Sequence, residues 1–216
     1  MKHAGKLITF EGPDGAGKTT QVSMTARALE QSGYAALIIR EPGGTRLSEA
    51  IRRLLLDPAY REMLPVTEAL LYAGARAQLV GEVILPALAA GKIVLADRFV
   101  DSSLAYQGYG RGLDLEMLHL VNGFALNKLG VFRTILLDLP AGEGLERLAG
   151  EKERDRLEQE SLSFHQRVRD GYSLLAQTCP ERIKVVDAGA DPQSVQKQIW
   201  EHVAAYLADR APGASF

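Results

Sequence analysis

Several residue types on which specialised folds and sites depend are scarce in this sequence. A single cysteine, Cys179, excludes a disulfide framework and a cysteine-rich metal site. The four histidines are scattered, without the spacing of metal ligands. The longest apolar runs, such as residues 83–90, are too short to span a membrane, and the N-terminus lacks the pattern of a signal peptide. We therefore expect a reduced, cytoplasmic protein with no membrane partner.

The chain also lacks a large excess of charge of either sign. It has 25 lysines and arginines against 27 aspartates and glutamates, and its isoelectric point is near 6.1. Without a basic excess, nucleic acid is not an expected partner. A hydrophobic fraction of 46% over 216 residues is enough for one sizeable core. We predict a single domain over residues 1–216.

Residues 12–19 match the full pattern G-x-x-x-x-G-K-[ST] of a phosphate-binding loop. Its glycines let backbone N–H groups converge on phosphate oxygens, because a Cβ would block that approach. Lys18 supplies a mobile charge, and the Thr19 hydroxyl can bind Mg²⁺. A strand pattern before the loop and a helix pattern over residues 20–31 support the match. The residues predicted to contact nucleotide phosphates are Gly12, Pro13, Asp14, Gly15, Ala16, Gly17, Lys18, Thr19 and Thr20.

Short apolar runs alternate with amphipathic stretches along the rest of the chain. The runs are too continuously apolar for half-exposed strands, which indicates a parallel sheet covered on both faces. We therefore predict an α/β protein with the three-layer P-loop NTPase fold, a five-stranded parallel sheet with helices on both faces. The predicted strands are residues 7–10, 35–39, 93–96, 134–137 and 183–186. Further predicted helices are residues 47–56, 67–89, 115–125 and 161–177.

Polar residues follow the predicted strands, at the edge where open α/β sheets bind ligands. Asp97, after the third strand, stands where phosphate-loop proteins hold Mg²⁺, and the planar guanidinium of Arg98 suits a second phosphate group. A structural salt bridge between the two is the alternative interpretation. Arg40, after the second strand, either contacts a ligand or pairs with a carboxylate. Residues 101–112 have the composition of a pocket wall, although many loops share it.

Four segments together resemble bacterial thymidylate kinases in order and in spacing. They are residues 10–20 (FEGPDGAGKTT), 40–45 (REPGGT), 97–99 (DRF) and 105–108 (AYQG). The resemblance extends from Lys6 to about Tyr172. It implies Mg²⁺-dependent transfer of the γ-phosphate of ATP to dTMP, which gives dTDP for dTTP synthesis, and it implies a homodimer.

The resemblance also implies roles for individual residues. Asp14 would lie beside the 3′-hydroxyl of dTMP and the metal, and Arg98 would bring the dTMP phosphate in line with the γ-phosphate. Tyr106 would exclude a ribose hydroxyl and so select deoxyribose. The other implied dTMP contacts are Glu41, Tyr72, Arg76, Ser103, Gln107 and Tyr172. Family members more often have Phe at the position of Tyr72.

The resemblance places a mobile lid at about residues 148–160, which would close over ATP and exclude water. The phosphate loop has no arginine, and relatives without one supply a catalytic arginine from the lid. The implied catalytic residues are therefore Lys18, Arg98 and Asp14, together with Arg154 or Arg156 from the lid. Arg147, on the preceding helix, would contact ATP. The alternative interpretation of this mixed-charge run is a solvated surface.

Two other functions fit parts of the pattern. A nucleotide-hydrolysing switch would share the phosphate loop, but residues 127–130 (NKLG) lack the Asp with which GTPases read guanine. A kinase of the same fold for another nucleoside or nucleotide would share most of the site. Tyr72, Arg76 and Tyr106 favour thymine and deoxyribose among these kinases.

Overall fold

The computed structural model describes residues 5–149 and 154–209. Its five strands are β1 (Lys6–Glu11), β2 (Ala36–Arg40), β3 (Ile93–Asp97), β4 (Arg133–Asp138) and β5 (Ile183–Asp187). They form one parallel sheet in the order β2-β3-β1-β4-β5. Each predicted strand is confirmed to within one residue at either end, because a short, uninterrupted apolar run between helical patterns is typical of a buried strand.

Helices connect the strands and cover both faces of the sheet. Within the described residues the α-helices are α1 (Lys18–Gln31), α2 (Arg46–Leu56), α3 (Pro65–Leu79), α4 (Leu85–Ala89), α5 (Val100–Ser103), α6 (Leu115–Leu126), α7 (Ala141–Leu148), α8 (Leu162–Thr178) and α9 (Pro192–Ala208). Two π-helical segments, Val80–Ile84 and Leu104–Gly110, lie between α3 and α4 and directly after α5.

The core lies on the two faces of the sheet. Ile8 and Phe10 of β1 pack with α1 and α9 on one face, whereas Leu7 packs with apolar residues of α3 and α6 on the other. All three side chains are at most 2% exposed. Because successive strand residues point to opposite faces, this alternation requires a helical layer on each side. The predicted three-layer fold is confirmed.

The helix predicted over residues 67–89 is divided rather than continuous. A π-helical turn over Val80–Ile84 separates α3 from α4, and Pro86 lies in the first turn of α4. Proline has no N–H to donate, and its ring crowds the carbonyl group four residues earlier, so a wider turn before it relieves the conflict.

Residues 101–110, whose composition resembles that of a loop, are helical in the structure. Leu104, Ala105 and Tyr106 are buried in a cluster that includes Phe164 and Val168 of α8. Burial of these apolar groups outweighs the turn preference of the serines and glycines around them.

A search of residues 5–149 and 154–209 for a membrane-crossing helix found none of sufficient length and apolar character.

Candidate active site

A cavity of about 690 Å³ opens at the carboxyl edge of the sheet, between the residues that follow β1, β2 and β3. Parallel pairing places the ends of β1 and β3 side by side there, with β2 next to β3. Eleven of the predicted site residues line it: Asp14, Lys18, Thr19, Glu41, Tyr72, Arg76, Asp97, Arg98, Ser103, Tyr106 and Gln107. Motifs far apart in sequence therefore converge on one site.

The phosphate loop joins β1 to α1 in a conformation that favours glycine. Gly12 and Gly17 have φ values of 139° and 82°, and Gly17 directly precedes α1. Nζ of Lys18 is buried and donates hydrogen bonds to the carbonyl oxygens of Gly12 and Pro13, at 3.1 and 2.7 Å. The lysine therefore lies against the loop that a phosphate group would fill.

Lys18 is surrounded by charges of both signs. Burial, followed by the positive charge of Arg98, lowers the pKa of Lys18 to about 8, although Asp14, Asp97 and Glu11 act in the opposite direction. A bound phosphate would add negative charge at this point and favour the protonated lysine.

Helix α7 packs directly against the backbone of the phosphate loop. A Cβ on Gly144 would collide with the carbonyl oxygen of Asp14, and one on Gly15 would collide with the carbonyl oxygen of Gly144. Arg147, further along α7, donates to the carbonyl oxygen of Ala188 at 3.3 and 3.4 Å. The backbone of the phosphate loop and that of α7 are thus in direct contact.

Thr19 and Asp97 bring two oxygen donors together beside the loop. The Thr19 hydroxyl donates to Oδ2 of Asp97 at 2.6 Å. Among the described residues, no group of three or more histidine, cysteine, aspartate or glutamate side chains could hold a metal ion. Of the remaining loop residues, Ala16 is buried and Thr20 is exposed in the first turn of α1.

Arg98 connects the phosphate loop to Tyr106 in the cavity wall. Its Nη2 pairs with Oδ1 of Asp14 and donates to the Tyr106 hydroxyl at 3.2 Å, while its Nη1 donates to the carbonyl oxygen of Gly12 at 3.0 Å. The Tyr106 hydroxyl in turn donates to Oδ2 of Asp14 at 2.7 Å. Burial acts to raise the pKa of Asp14, but Arg98 and Lys18 outweigh it and hold that pKa below its usual range.

A second group of hydroxyls lies on the other side of the Arg98 guanidinium. Its Nη1 also approaches Oγ of Ser102 at 3.3 Å and the hydroxyl of Tyr172 at 3.4 Å. Oε2 of Glu11 accepts hydrogen bonds from both hydroxyls, at 2.5 and 3.0 Å. Tyr172, predicted to contact dTMP, therefore contacts Arg98 directly.

Arg76 lines the cavity and is only 1% exposed. Its Nε and Nη2 donate to Oε2 of Glu41 at 2.8 and 2.6 Å. Nη1 donates to Oγ of Ser103 at 3.0 Å and to Oδ1 of Asn122, and Nη2 also donates to the carbonyl oxygen of Phe99. The guanidinium is thereby fixed in position before any ligand binds.

Glu68 of α3 binds both the cavity wall and the predicted lid. Its Oε1 accepts from Nε2 of Gln107 at 2.9 Å, and its Oε2 pairs with Nη2 of Arg156 at 2.6 Å and of Arg111 at 3.1 Å. Arg156 is buried and also donates from Nε to the carbonyl oxygen of Leu55. By contrast, Arg154 is exposed. The two candidate lid arginines thus have different surroundings.

The cavity contains further charged residues that the sequence patterns did not single out. Arg52 of α2 lines it, as do Asp155 and Glu158 from the predicted lid, and burial raises the pKa of both acids. The sequence left open whether Arg40 contacts a ligand or pairs with a carboxylate. In the structure Arg40 pairs with Glu49 at 3.1 Å and also lines the cavity.

Some of these residues had a detectable signal in the sequence. Asn122 interrupts the buried face of an apolar helix, and Glu11 is an acid at the end of an apolar strand. Such polar residues at core positions usually have partners, but the pattern does not name them. Glu68 had no comparable signal, because its partners come from segments distant in sequence.

The chain is similar to known proteins over most of its length. The model of the thymidylate kinase family matches residues 10–199. A thymidylate kinase of Exiguobacterium sibiricum is 50% identical over 206 residues, which cover 95% of this chain and 97% of that protein. One of Lactobacillus delbrueckii is 51% identical over 199 residues, which cover 90% and 94%. The crystal structure of thymidylate kinase from Ehrlichia chaffeensis is 31% identical with a TM-score of 0.74, covering 93% of this chain and 99% of that one.

Proposed function

Because this chain belongs to the thymidylate kinase family, we propose that its phosphate loop and cavity form one site in which ATP and dTMP react. The reaction is the transfer of the γ-phosphoryl group of ATP to dTMP, which gives ADP and dTDP. We expect the protein to act in the cytoplasm, because its proposed reaction is a step of nucleotide metabolism.

One observation carries the assignment of the site. Arg98 donates to Gly12, the first residue of the phosphate loop, so the cation expected to hold the acceptor phosphate touches the loop expected to hold the donor. Phosphoryl transfer requires little covalent chemistry from the protein and depends on placing the two phosphates in line. A guanidinium between the two would both position them and reduce their repulsion.

The rest of the cavity suits the thymine and deoxyribose of dTMP. The five N–H groups of Arg76 already have partners, so one of them would exchange its partner for a base carbonyl, with Tyr72 against the ring and Ser103 and Gln107 along the wall. Asp14 of the phosphate loop and Tyr106, whose hydroxyl donates to it, both line the cavity, and the sugar would sit beside them. Asp14 would accept from the 3′-hydroxyl, and the Tyr106 ring would occupy the space of a 2′-hydroxyl.

Mg²⁺ fits the donor side. The Thr19 hydroxyl and the Asp97 carboxylate are hard oxygen ligands in contact with each other, and with phosphate oxygens and water they could complete its coordination. The ion, when bound, neutralises charge on the β- and γ-phosphates. Loop residues Gly12, Pro13, Gly15, Ala16, Gly17 and Thr20 would surround those phosphates, and Arg147 would contact ATP from α7.

Arg154 and Arg156 remain the two candidates for the catalytic cation of the lid. Arg156 would have to leave its ion pair with Glu68 to reach the γ-phosphate, whereas the exposed Arg154 would not. We therefore expect Arg154→Ala to lower kcat for dTMP phosphorylation, and Arg156→Ala to lower stability as well. If neither variant changes kcat, the proposal of a catalytic lid arginine is wrong.

A homodimer is the form we propose in solution. α3 packs between α2 and α6, and Val66, Leu70, Leu120 and Phe124 of α3 and α6 are 46–78% exposed. Four large apolar side chains on two adjacent helices are costly to leave in water, and a second copy of the same face would bury them. The family resemblance points to the same assembly.

A coupled assay of ADP release tests the function. Purified protein with ATP and Mg²⁺ should phosphorylate dTMP far faster than dUMP, dCMP, dGMP or thymidine. Arg98→Ala should raise the activation free energy of dTMP phosphorylation by several kcal/mol, because a preorganised charge contact is lost. ADP release that does not depend on dTMP, or turnover of GTP without an acceptor, would contradict the proposal.

A further inference from the structure

Glu11, the last residue of β1, is a buried carboxylate that the reaction described above does not use. It is 0% exposed, and within the described residues it has no ion-pair partner. Its four hydrogen bonds come from the amides of Phe99 and Ser102, at 2.8 and 3.2 Å, and from the hydroxyls of Ser102 and Tyr172. All four donors belong to groups around Arg98.

The first pair of hydrogen bonds fixes the backbone around Arg98. Phe99 is the N-cap of α5, and a phenylalanine side chain cannot accept from the free amides of a helix start. Oε1 of Glu11 takes this role from another strand, since it accepts from the N-cap amide and from that of Ser102, the third residue of the helix.

This support matters because Arg98 itself is strained. Its φ of 69° is the only positive φ of a non-glycine residue among the described residues, and L side chains rarely adopt this conformation. Such a conformation persists when the surrounding contacts determine it. The Glu11 carboxylate accepts from the amide of Phe99, the residue that follows Arg98.

The second pair of hydrogen bonds fixes the guanidinium. Oε2 of Glu11 accepts from the hydroxyls of Ser102 and Tyr172, and Nη1 of Arg98 approaches these same two oxygens at 3.3 and 3.4 Å. One carboxylate therefore orders both the backbone and, through two hydroxyls, the head group of Arg98.

Glu11 is also covalently joined to Gly12, where the phosphate loop begins. We propose that Glu11 is a positioning residue that holds the Arg98 turn in register with the phosphate loop, so that the acceptor phosphate is aligned with the donor. This inference rests on the proposed function, because it assigns the dTMP phosphate to Arg98.

Three variants and a control test the proposal. Glu11→Ala removes both sets of contacts, and we expect kcat to fall about 100-fold, the cost of misplacing reacting groups by about 1 Å. KM for dTMP should rise while KM for ATP changes little. Thr25→Val is the matched control, because it removes a buried hydrogen bond between α1 and α9, to Gln196, that has no contact with Arg98. It should lower stability and leave the kinetic constants unchanged.

Two conservative variants decide the question even if Glu11→Ala fails to fold. Glu11→Gln keeps the length and the acceptor oxygen for the two amides, and the Ser102 and Tyr172 hydroxyls can turn to accept from its NH2 group, so it should recover most of the lost kcat. Glu11→Asp keeps the charge but is one methylene too short to reach both sets of donors, so it should stay impaired. A Glu11→Asp variant with the same kcat as Glu11→Gln would overturn the positioning role. An equal rise in KM for ATP and for dTMP would overturn it as well.

Failure of this inference can be told apart from failure of the proposed function. If the wild type does not phosphorylate dTMP, the function is wrong. If the wild type does so and the Glu11 variants behave like Thr25→Val, only the positioning role is wrong.

Discussion

Arg76 shows how single residues in this site combine binding with stability. Its guanidinium is enclosed by Glu41, Ser103, Asn122 and the Phe99 carbonyl, so the arginine expected to read thymine also neutralises a buried acid. Burial raises the pKa of Glu41 although Arg76 acts against the shift. Removing either member leaves the other without its partner in a place that water does not reach.

We predict that Arg76→Ala lowers the free energy of unfolding by about 3–5 kcal/mol, the cost typical of an uncompensated buried charge. Adding Glu41→Gln should restore part of that loss, because the neutral amide tolerates burial. Urea unfolding of the wild type, both single variants and the double variant measures the coupling. Additive losses would mean that the two side chains do not depend on each other.

Glu11 predicts a pH dependence of stability. Burial, together with the neighbouring Asp101, raises the pKa of Glu11 from 4.5 to about 7, while its hydrogen bond with Ser102 and the Arg98 charge act against the shift. The folded protein therefore holds a proton that the unfolded chain releases between pH 4.5 and 7. Stability should fall as pH rises through this window and stay constant above it.

The expected size of this effect is about 3 kcal/mol, because the pKa of Glu11 rises from 4.5 to about 7 on folding. Glu11→Gln removes the titrating group, so the difference in unfolding free energy between wild type and variant should decline from pH 4.5 to pH 7. A difference that is flat over this range would contradict the raised pKa. Lys18 and Tyr172 also face Glu11, and the wild type and the variant both retain them.

At the scale of single residues, short sequence motifs predicted part of the site. Residues that reach the site only through tertiary packing were not predicted. Lys18, Asp97 and Arg98 belong to short local patterns, and all three line the cavity. Glu68 does not, because its partners come from the π-helical wall and from the lid, and no local pattern relates such distant segments. The contacts of a site are set by tertiary structure even where its motifs are local.

Among the elements, the strands were predictable and the helix interiors only partly so. A buried parallel strand has a continuous apolar run, and each of the five was found. The π-helical turn at Val80–Ile84 has no such signature, since it depends on how Pro86 is accommodated. α5 and its π-helical extension were hidden by serine and glycine, whose local preference is overridden by burial against α8.

The contact of α7 with the phosphate loop gives a prediction at this scale. Gly144→Ala should improve the helix by propensity alone, by up to about 1 kcal/mol. Its Cβ, however, would collide with the carbonyl oxygen of Asp14, so we expect a net loss of stability of about 1–3 kcal/mol and a higher KM for ATP. Thermal unfolding and ATP kinetics measure both effects.

Gly142→Ala is the matched control, because it lies on the same helix and its Cβ would meet no atom within 4 Å. This variant should be as stable as the wild type or more so, with unchanged kinetics. If the two variants behave alike, the packing of α7 on the loop does not limit ATP binding.

For the whole molecule, the exposed apolar face of α3 and α6 predicts the assembly. Phe124, at 78% exposure, is the most exposed large apolar side chain among the described residues. We predict that Phe124→Glu shifts the protein from dimer to monomer, because a charge buried against its symmetry mate costs more than the contact contributes. Light scattering coupled to size-exclusion chromatography measures the molar mass.

Leu174→Glu provides the comparison. Leu174 is 45% exposed on α8, which is not part of the α3 and α6 face, so this variant should remain a dimer. Wild-type protein that elutes as a monomer at micromolar concentration would rule out the proposed interface.

The anchors of the predicted lid have a consequence for how this chain can vary in length. On one side α7 lies against the phosphate loop, and on the other Arg156 forms an ion pair with Glu68 and donates to the carbonyl oxygen of Leu55. Surface connections usually accept insertions at little cost. A segment held by buried contacts at both anchors does not, so we expect the gain or loss of a single residue beside Gly144 or Arg156 to cost more stability than a substitution of the exposed Arg154.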